Sequence, residues 1–207
     1  MRVVEVPVGT LGIDTAATLT AKNCIDLKAA GIKFVIRYLP ELDKPEIDAI
    51  FAAGLGLMLV AHVRYAGWQP SMAMGAGDAE RVARRAQALG VPPNATIWCD
   101  LEGMSGSTSD TVDYTNAWAA MLKTFHYEPG AYVGAGIPLD SMELYRKLNV
   151  SRYWRSQSAV PTPVVRGYQM YQLFSMPTGS MKLCGIDVDV DITQHDYKGG
   201  CPTMIVP

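Results

Sequence analysis

The run Ile97-Trp98-Cys99-Asp100-Leu101-Glu102-Gly103 places two carboxylates two residues apart, next to an indole. In extended backbone such residues share a face, with Cα atoms roughly 6.5–7 Å apart. Trp98, Asp100 and Glu102 then point one way, and Ile97, Cys99 and Leu101 the other. A carboxyl pair of this kind suits hydrolysis of a glycosidic bond. One carboxyl is held protonated to donate to the leaving oxygen, and the second stays ionised. The spacing spans both the short separation of retaining enzymes and the longer one of inverting enzymes, so it does not choose between them. Glu102, with the longer reach, is the candidate acid. Asp100 is the candidate ionised partner, acting as nucleophile, as base for water or as orienter of a substrate acetamide.

The elements that must position this pair follow from hydrophobic patterning. Strand-like segments fall at 10–14, 32–39, 57–65, 96–102, 130–134, 152–156, 167–173 and 185–192. Helix-like spacing falls at 19–30, 44–54, 77–90, 109–126 and 139–148, with little helix between the last three strands. Alternation of this sort implies parallel pairing with right-handed crossovers. Eight strands predict one α/β domain over residues 1–207, a modified (β/α)8 TIM barrel with its last helices short or missing. An open doubly wound sheet is the alternative, but neither Gly75-Ala-Gly77 nor Gly134-Ala-Gly136 completes a phosphate-binding glycine loop.

Active sites of such barrels lie at the carboxyl ends of the strands. Asp14 ends the first strand, Asp100 and Glu102 end the fourth, and Asp187 and Asp189 lie on the eighth. The first and eighth strands are neighbours in a closed barrel. Their acids are therefore expected at one rim, facing the fourth strand, where crowding raises at least one carboxyl pKa. Catalytic roles are assigned to Glu102, Asp100, Asp14 and Asp187.

Other side chains are candidates for holding substrate. Asp189 adds a rim acid. Tyr65 and Trp68, at the end of the third strand, could form a sugar-stacking platform, as could Trp154 on the sixth. Gln169 and Tyr171 share one face of the seventh strand and are expected to face the mouth. Arg37 and Arg64, charged residues on strands, are expected to pair with rim acids, since a buried unpaired charge is costly.

Composition narrows the class. Apolar residues make up 49% and charged residues 18%, and the net charge is −2, with 10 Tyr and 4 Trp against 4 Phe. No Lys/Arg cluster suggests a nucleic-acid partner. No stretch approaches the roughly 18 apolar residues of a membrane span. His62, His126 and His195 form no spaced metal set, and no cofactor or metal is expected. Asp187, Asp189 and Asp191 lack the glycine and glutamate of a calcium loop. Cys24, Cys99, Cys184 and Cys201 read as buried thiols, with a Cys184–Cys201 disulfide left open. The N-terminus lacks the apolar core and cleavage site of a secretory signal, so synthesis in the cytoplasm is expected.

The same positions carry a family resemblance. Gly12-Ile-Asp14, the segment 27–35, Asp100-Leu-Glu102, Gly130-Ala-Tyr-Val-Gly134 and Gly185-Ile-Asp187 resemble the glycoside hydrolase family 25 lysozymes, in order, over about residues 11–193. The segments 34–39, 46–50 and 53–55 and the closing Asp-Val-Asp-Val-Asp run are similar to a related group, the glycoside-hydrolase-like domain of unknown function 1906. The connection Gly67-Trp-Gln-Pro70 departs from the lysozyme pattern. The resemblance implies a monomeric barrel that cuts peptidoglycan, with Glu102 as general acid, Asp100 assisting, and Asp14 and Asp187 supporting. It also implies action on the cell wall after release or delivery, as a phage lysin or an antibacterial effector. A non-catalytic carbohydrate- or cell-wall-binding domain is the second reading. A phosphodiesterase is a third, for which a convincing His/Asp cluster is lacking.

Overall fold

A computed structural model describes residues 1–61, 64–173 and 181–207. Eight strands close into a barrel: β2 (Leu11–Thr15), β3 (Phe34–Tyr38), β4 (Gly56–Ala61), β5 (Thr96–Leu101), β6 (Glu128–Val133), β7 (Arg152–Arg155), β8 (Met170–Gln172) and β10 (Ile186–Thr193). Helices α1 (Ala21–Ala29), α2 (Lys44–Ala52), α3 (Met72–Ala88), α4 (Thr108–Thr124) and α5 (Ser141–Lys147) follow the first five barrel strands. β1 (Arg2–Glu5) and β11 (Thr203–Val206) form an antiparallel ribbon that joins the barrel through Ile205 opposite Leu57. β9 (Met181–Leu183) pairs with the first half of β10.

Side chains alternate across the barrel wall, as the pleat requires. Phe34, Ile36, Met58, Val60, Trp98, Tyr132, Trp154 and Met170 fill the interior, joined by Val6. Ile13, Val35, Leu57, Leu59, Ile97, Cys99, Leu101, Ala131 and Val133 face outward, into the layer covered by the helices. Gly130 is small because it must be: a Cβ there would lie 2.4 Å from the Trp98 ring.

The eighth barrel strand departs from the expected parallel arrangement. β10 runs antiparallel to both β2 and β8, so its amino-terminal half, not its carboxyl end, reaches the mouth. No helix separates β8 from β10 among the described residues, and a parallel return needs a crossover of a dozen or more residues, usually helical. The predicted third strand does not reach residues 64–65. Arg64 and Tyr65 lie in the connection after β4 and not on the strand, and His62 lies outside the described residues. α3 begins at Met72, capped by Ser71, rather than near Gly77. Cys184 and Cys201 are free thiols, so the disulfide left open does not form.

Candidate active site

The mouth of the barrel holds a cavity of about 250 Å³ lined by Asp14, Asp100, Glu102 and Asp189, with Tyr38, Tyr132, Trp154, Ser156, Gln157 and Gln172 among its other walls. Each acid arrives from a different point of the framework. Asp100 is on β5, and Glu102 directly follows that strand, both on the inner face with Trp98. Asp14 and Asp189 are register partners across the antiparallel β2–β10 ladder. Gly134, just past the end of β6, leaves room for Glu102: a Cβ there would lie 2.2 Å from the glutamate Cβ and 2.7 Å from its Oε2.

Beneath this layer lies Asp191, fully buried and opposite Gln172 and Gly12 in register. Trp154 Nε1 donates to its Oδ1 at 2.8 Å. Asp191 Oδ2 is buried without a hydrogen-bond partner among the described residues, and the charges of Asp14 and Asp191 act on each other. Burial first, then the neighbouring charges of Asp189 and Asp100, raise Asp14 to about 7, against the lowering hydrogen bond from Gln172. Burial, followed by the charge of Asp14, holds Asp191 well above the usual carboxylate range.

Gln172 ties the acids together. Its Nε2 donates to Asp14 Oδ2 at 2.8 Å and to Asp189 Oδ2 at 3.1 Å. Its Oε1 accepts from the Tyr132 hydroxyl at 3.1 Å and from the Gln157 N–H at 3.2 Å. Gln157 Nε2 in turn donates to Asp189 Oδ1 at 2.9 Å.

The structure brings together Glu102, Asp100, Asp14, Asp189 and Trp154 in this cavity, and the other predicted residues do not line it. Asp187 is exposed on the outer lip, in an adjoining depression bounded by Asp14, Thr15, Ala16, Ala17, Tyr38, Val188 and Asp189. The acids that the β10 strand sends into the cavity and beneath it are Asp189 and Asp191. Arg37 is fully buried on the outer face of β3, where its Nε meets Glu46 Oε1 of α2 at 2.6 Å and a second nitrogen donates to Thr15 O. It fastens α2 to the barrel and does not reach substrate or a rim acid.

The face assigned to the seventh strand is inverted. Gln169 is buried against Asp196, with Nε2 2.9 Å from Oδ2, and Tyr171 packs outside on Tyr168 and Arg155. Met170 and Gln172 face inward instead. Trp68 packs edge-on against Tyr114 and donates from Nε1 to the Glu102 carbonyl at 3.0 Å, so it holds backbone rather than offering a free ring. Tyr65 is 91% exposed. Arg64 forms a fork on buried Asp78 of α3, Nε to Oδ2 at 3.1 Å and Nη2 to Oδ1 at 2.7 Å, again not on a rim acid. Among the described residues no group of three or more His, Cys, Asp or Glu could hold a metal ion, and no helix is long and apolar enough to cross a membrane.

Sequence reasoning assigned no site role to Gln172 or Asp191. The signal for Asp191 was present in the alternation Asp187, Asp189, Asp191, which puts all three on one face.

An eight-stranded barrel with acids gathered at its mouth defines the class, a glycoside hydrolase-like barrel. Residues 25–192 match the Rv2525c-like, glycoside hydrolase-like domain, and the chain belongs to that family. Comparison with curated proteins gives no match. Several solved structures share the fold. An uncharacterized protein of B. stearothermophilus is 18% identical, covering 90% of this chain and 96% of that one, with a TM-score of 0.64. A bacterial lysozyme of Streptomyces coelicolor is 17% identical, over 92% and 94%, with a TM-score of 0.58. A family 25 glycosyl hydrolase of Bacillus anthracis is 14% identical, over 92% and 91%, with a TM-score of 0.61.

Proposed function

We propose that this barrel is a lysozyme-like glycosidase that cleaves the sugar chain of peptidoglycan. The observation that carries the reading is the convergence of Asp14, Asp100, Glu102 and Asp189 on one cavity, with no Lys or Arg among its described lining residues. Such a cavity favours a transition state in which positive charge develops on the sugar ring, as it does in glycoside hydrolysis. The lysozyme among the structural neighbours supports the same choice of substrate.

Accessibility assigns the roles. Asp14 has a raised pKa, but its carboxyl is engaged by Gln172 and is buried. It supports the site electrostatically. Glu102 lies at the edge of the cavity, half-buried, where a leaving oxygen can reach it, and is the proton donor. Asp100, half-buried beside it on β5, is the ionised partner.

The test is digestion of purified peptidoglycan. Wild-type protein releases new reducing ends, mass analysis of the fragments gives the bond cut, and Glu102→Gln abolishes release. Peptidoglycan left intact by wild type across a pH series would overturn the reading. Binding that survives Glu102→Gln, with turnover by neither protein, would replace it with a wall-binding domain.

A further inference from the structure

We infer that the depression bounded by Arg64, Tyr65, Ala66, Gly103 and Ala135 seats the leaving sugar, so that a glycan passes over Glu102 from the deep cavity into it. The inference rests on the reading of Glu102 as proton donor. Glu102 lines both hollows, the deep one of about 250 Å³ and this one of about 280 Å³, and no other described residue lines both. A proton donor to a glycosidic oxygen must stand between the ring that keeps the anomeric carbon and the ring that departs. The deep cavity contains the other carboxylates and so suits the ring on which positive charge develops. The second hollow then takes the ring that leaves.

Its walls fit a hexosamine. Tyr65 offers an almost fully exposed ring for the apolar face of a pyranose. Arg64 is fixed by the fork on Asp78, and that carboxylate is held further by the Tyr114 hydroxyl at 3.0 Å and by Arg81 at 3.0 Å. The guanidinium fork uses Nε and Nη2, and the side chain stays 30% exposed, placing a rigid donor beside the hollow for a hydroxyl or acetamide oxygen. The floor is stitched to Glu102 by backbone. Gly67 N–H donates to Gly103 O at 2.6 Å, Gly103 N–H to Ala135 O at 2.9 Å, and Trp68 Nε1 to Glu102 O. Gly103 has φ 63°, and a Cβ there would lie 3.0 Å from Ala66 Cα, so the close approach of the two segments needs a glycine. The wall comes from the connection after β4, whose 67–70 portion departs from the lysozyme pattern.

Titration calorimetry of Glu102→Gln protein with a soluble tetrasaccharide of alternating N-acetylglucosamine and N-acetylmuramic acid tests the seat without turnover. Adding Tyr65→Ala weakens binding about tenfold, the scale of one lost aromatic contact, and adding Tyr65→Phe restores it by returning the flat face. Tyr65 is exposed, so neither change threatens folding. Equal affinity with and without Tyr65→Ala overturns the seat, as does a Glu102→Gln protein that binds no tetrasaccharide. Tyr65-dependent binding in a protein whose wild type releases no reducing ends supports the seat for a second sugar while refuting the glycosidase reading.

Discussion

Gln172 donates its amide to Asp14 at 2.8 Å, and the direction of that amide is imposed by the backbone. The Gln157 N–H can only donate, so the oxygen of Gln172 faces it and the nitrogen faces the carboxylates. The same nitrogen reaches Asp189. Gln172→Glu removes both donors and inserts a further carboxylate between two existing ones. Asp14 then titrates above its value of about 7, and peptidoglycan cleavage falls about tenfold or more, the cost of losing a hydrogen bond to a charged group. Carbon-13 NMR of the Asp14 carboxyl reads the first effect. A midpoint that stays put would show that the amide does not hold the acids.

The Asp14–Asp191 pair makes stability depend on pH with a definite sign. Asp14 rises from 3.8 in its ordinary setting to about 7 in the fold. Between those values the folded state binds more protons than the unfolded one, so this group's stabilisation is complete below pH 3.8 and is lost as pH climbs through 7. Asp14→Asn imitates the protonated acid: its oxygen accepts from Gln172 and it carries no charge toward Asp191. At pH 8 the variant is more stable than wild type by on the order of 2 kcal/mol, and the difference shrinks toward pH 4. Urea midpoints of both proteins at pH 4, 6 and 8 measure this, and a constant offset across the series would contradict it. Cleavage activity falls in the same variant.

Arg37 and Glu46 form an ion pair whose side chains are 0% and 1% exposed. Glu46 also accepts from the Leu19 N–H at 2.8 Å. Removing one partner strands the other charge, so Arg37→Leu costs about 3–5 kcal/mol of stability. Arg37→Leu with Glu46→Leu recovers much of that. Tetrasaccharide affinity of the folded double variant is unchanged, because the pair faces α2 and not the cavity. A weakened affinity would return Arg37 to the substrate site.

Strand parity explains what could be read in advance and what could not. On β5 the inner residues Trp98 and Asp100 alternate with Ile97, Cys99 and Leu101, so one face is plainly apolar and the direction of the acids follows. On β8 the outer Tyr171 and the inner Met170 and Gln172 mix character on both faces, because Tyr171 is covered by Tyr168 and Arg155 while the inner face is itself polar near the mouth. Patterning alone does not choose there, and the structure shows the face opposite to the expected one. Arg37 was legible as a charge needing a partner, but Glu46 lies on the next helix and not at the rim. The reversal of β10 left one trace, the absence of helical spacing after residue 173. Order along the chain located the acid-bearing strands. The depth of each acid along β10, exposed at Asp187 and buried at Asp191, depended on the direction of that strand.

Gly134 gives the sharpest steric test of the proton donor. Its hydrogen faces the Glu102 side chain, and a methyl group there would come within 2.2 Å of the glutamate Cβ and 3.1 Å of its Cα. The Cα is held by the backbone and cannot swing aside, so Gly134→Ala must shift either the start of the β6–α5 connection or Glu102 itself. A displacement of about 1 Å at a catalytic group costs roughly a hundredfold in rate. The expected outcome is a loss of that order in kcat for peptidoglycan cleavage, with the melting temperature lowered only modestly, since the clash lies at the open mouth and not in the helix-covered layer. A Gly134→Ala enzyme with wild-type kcat would mean that Glu102 does not have to occupy this position to work.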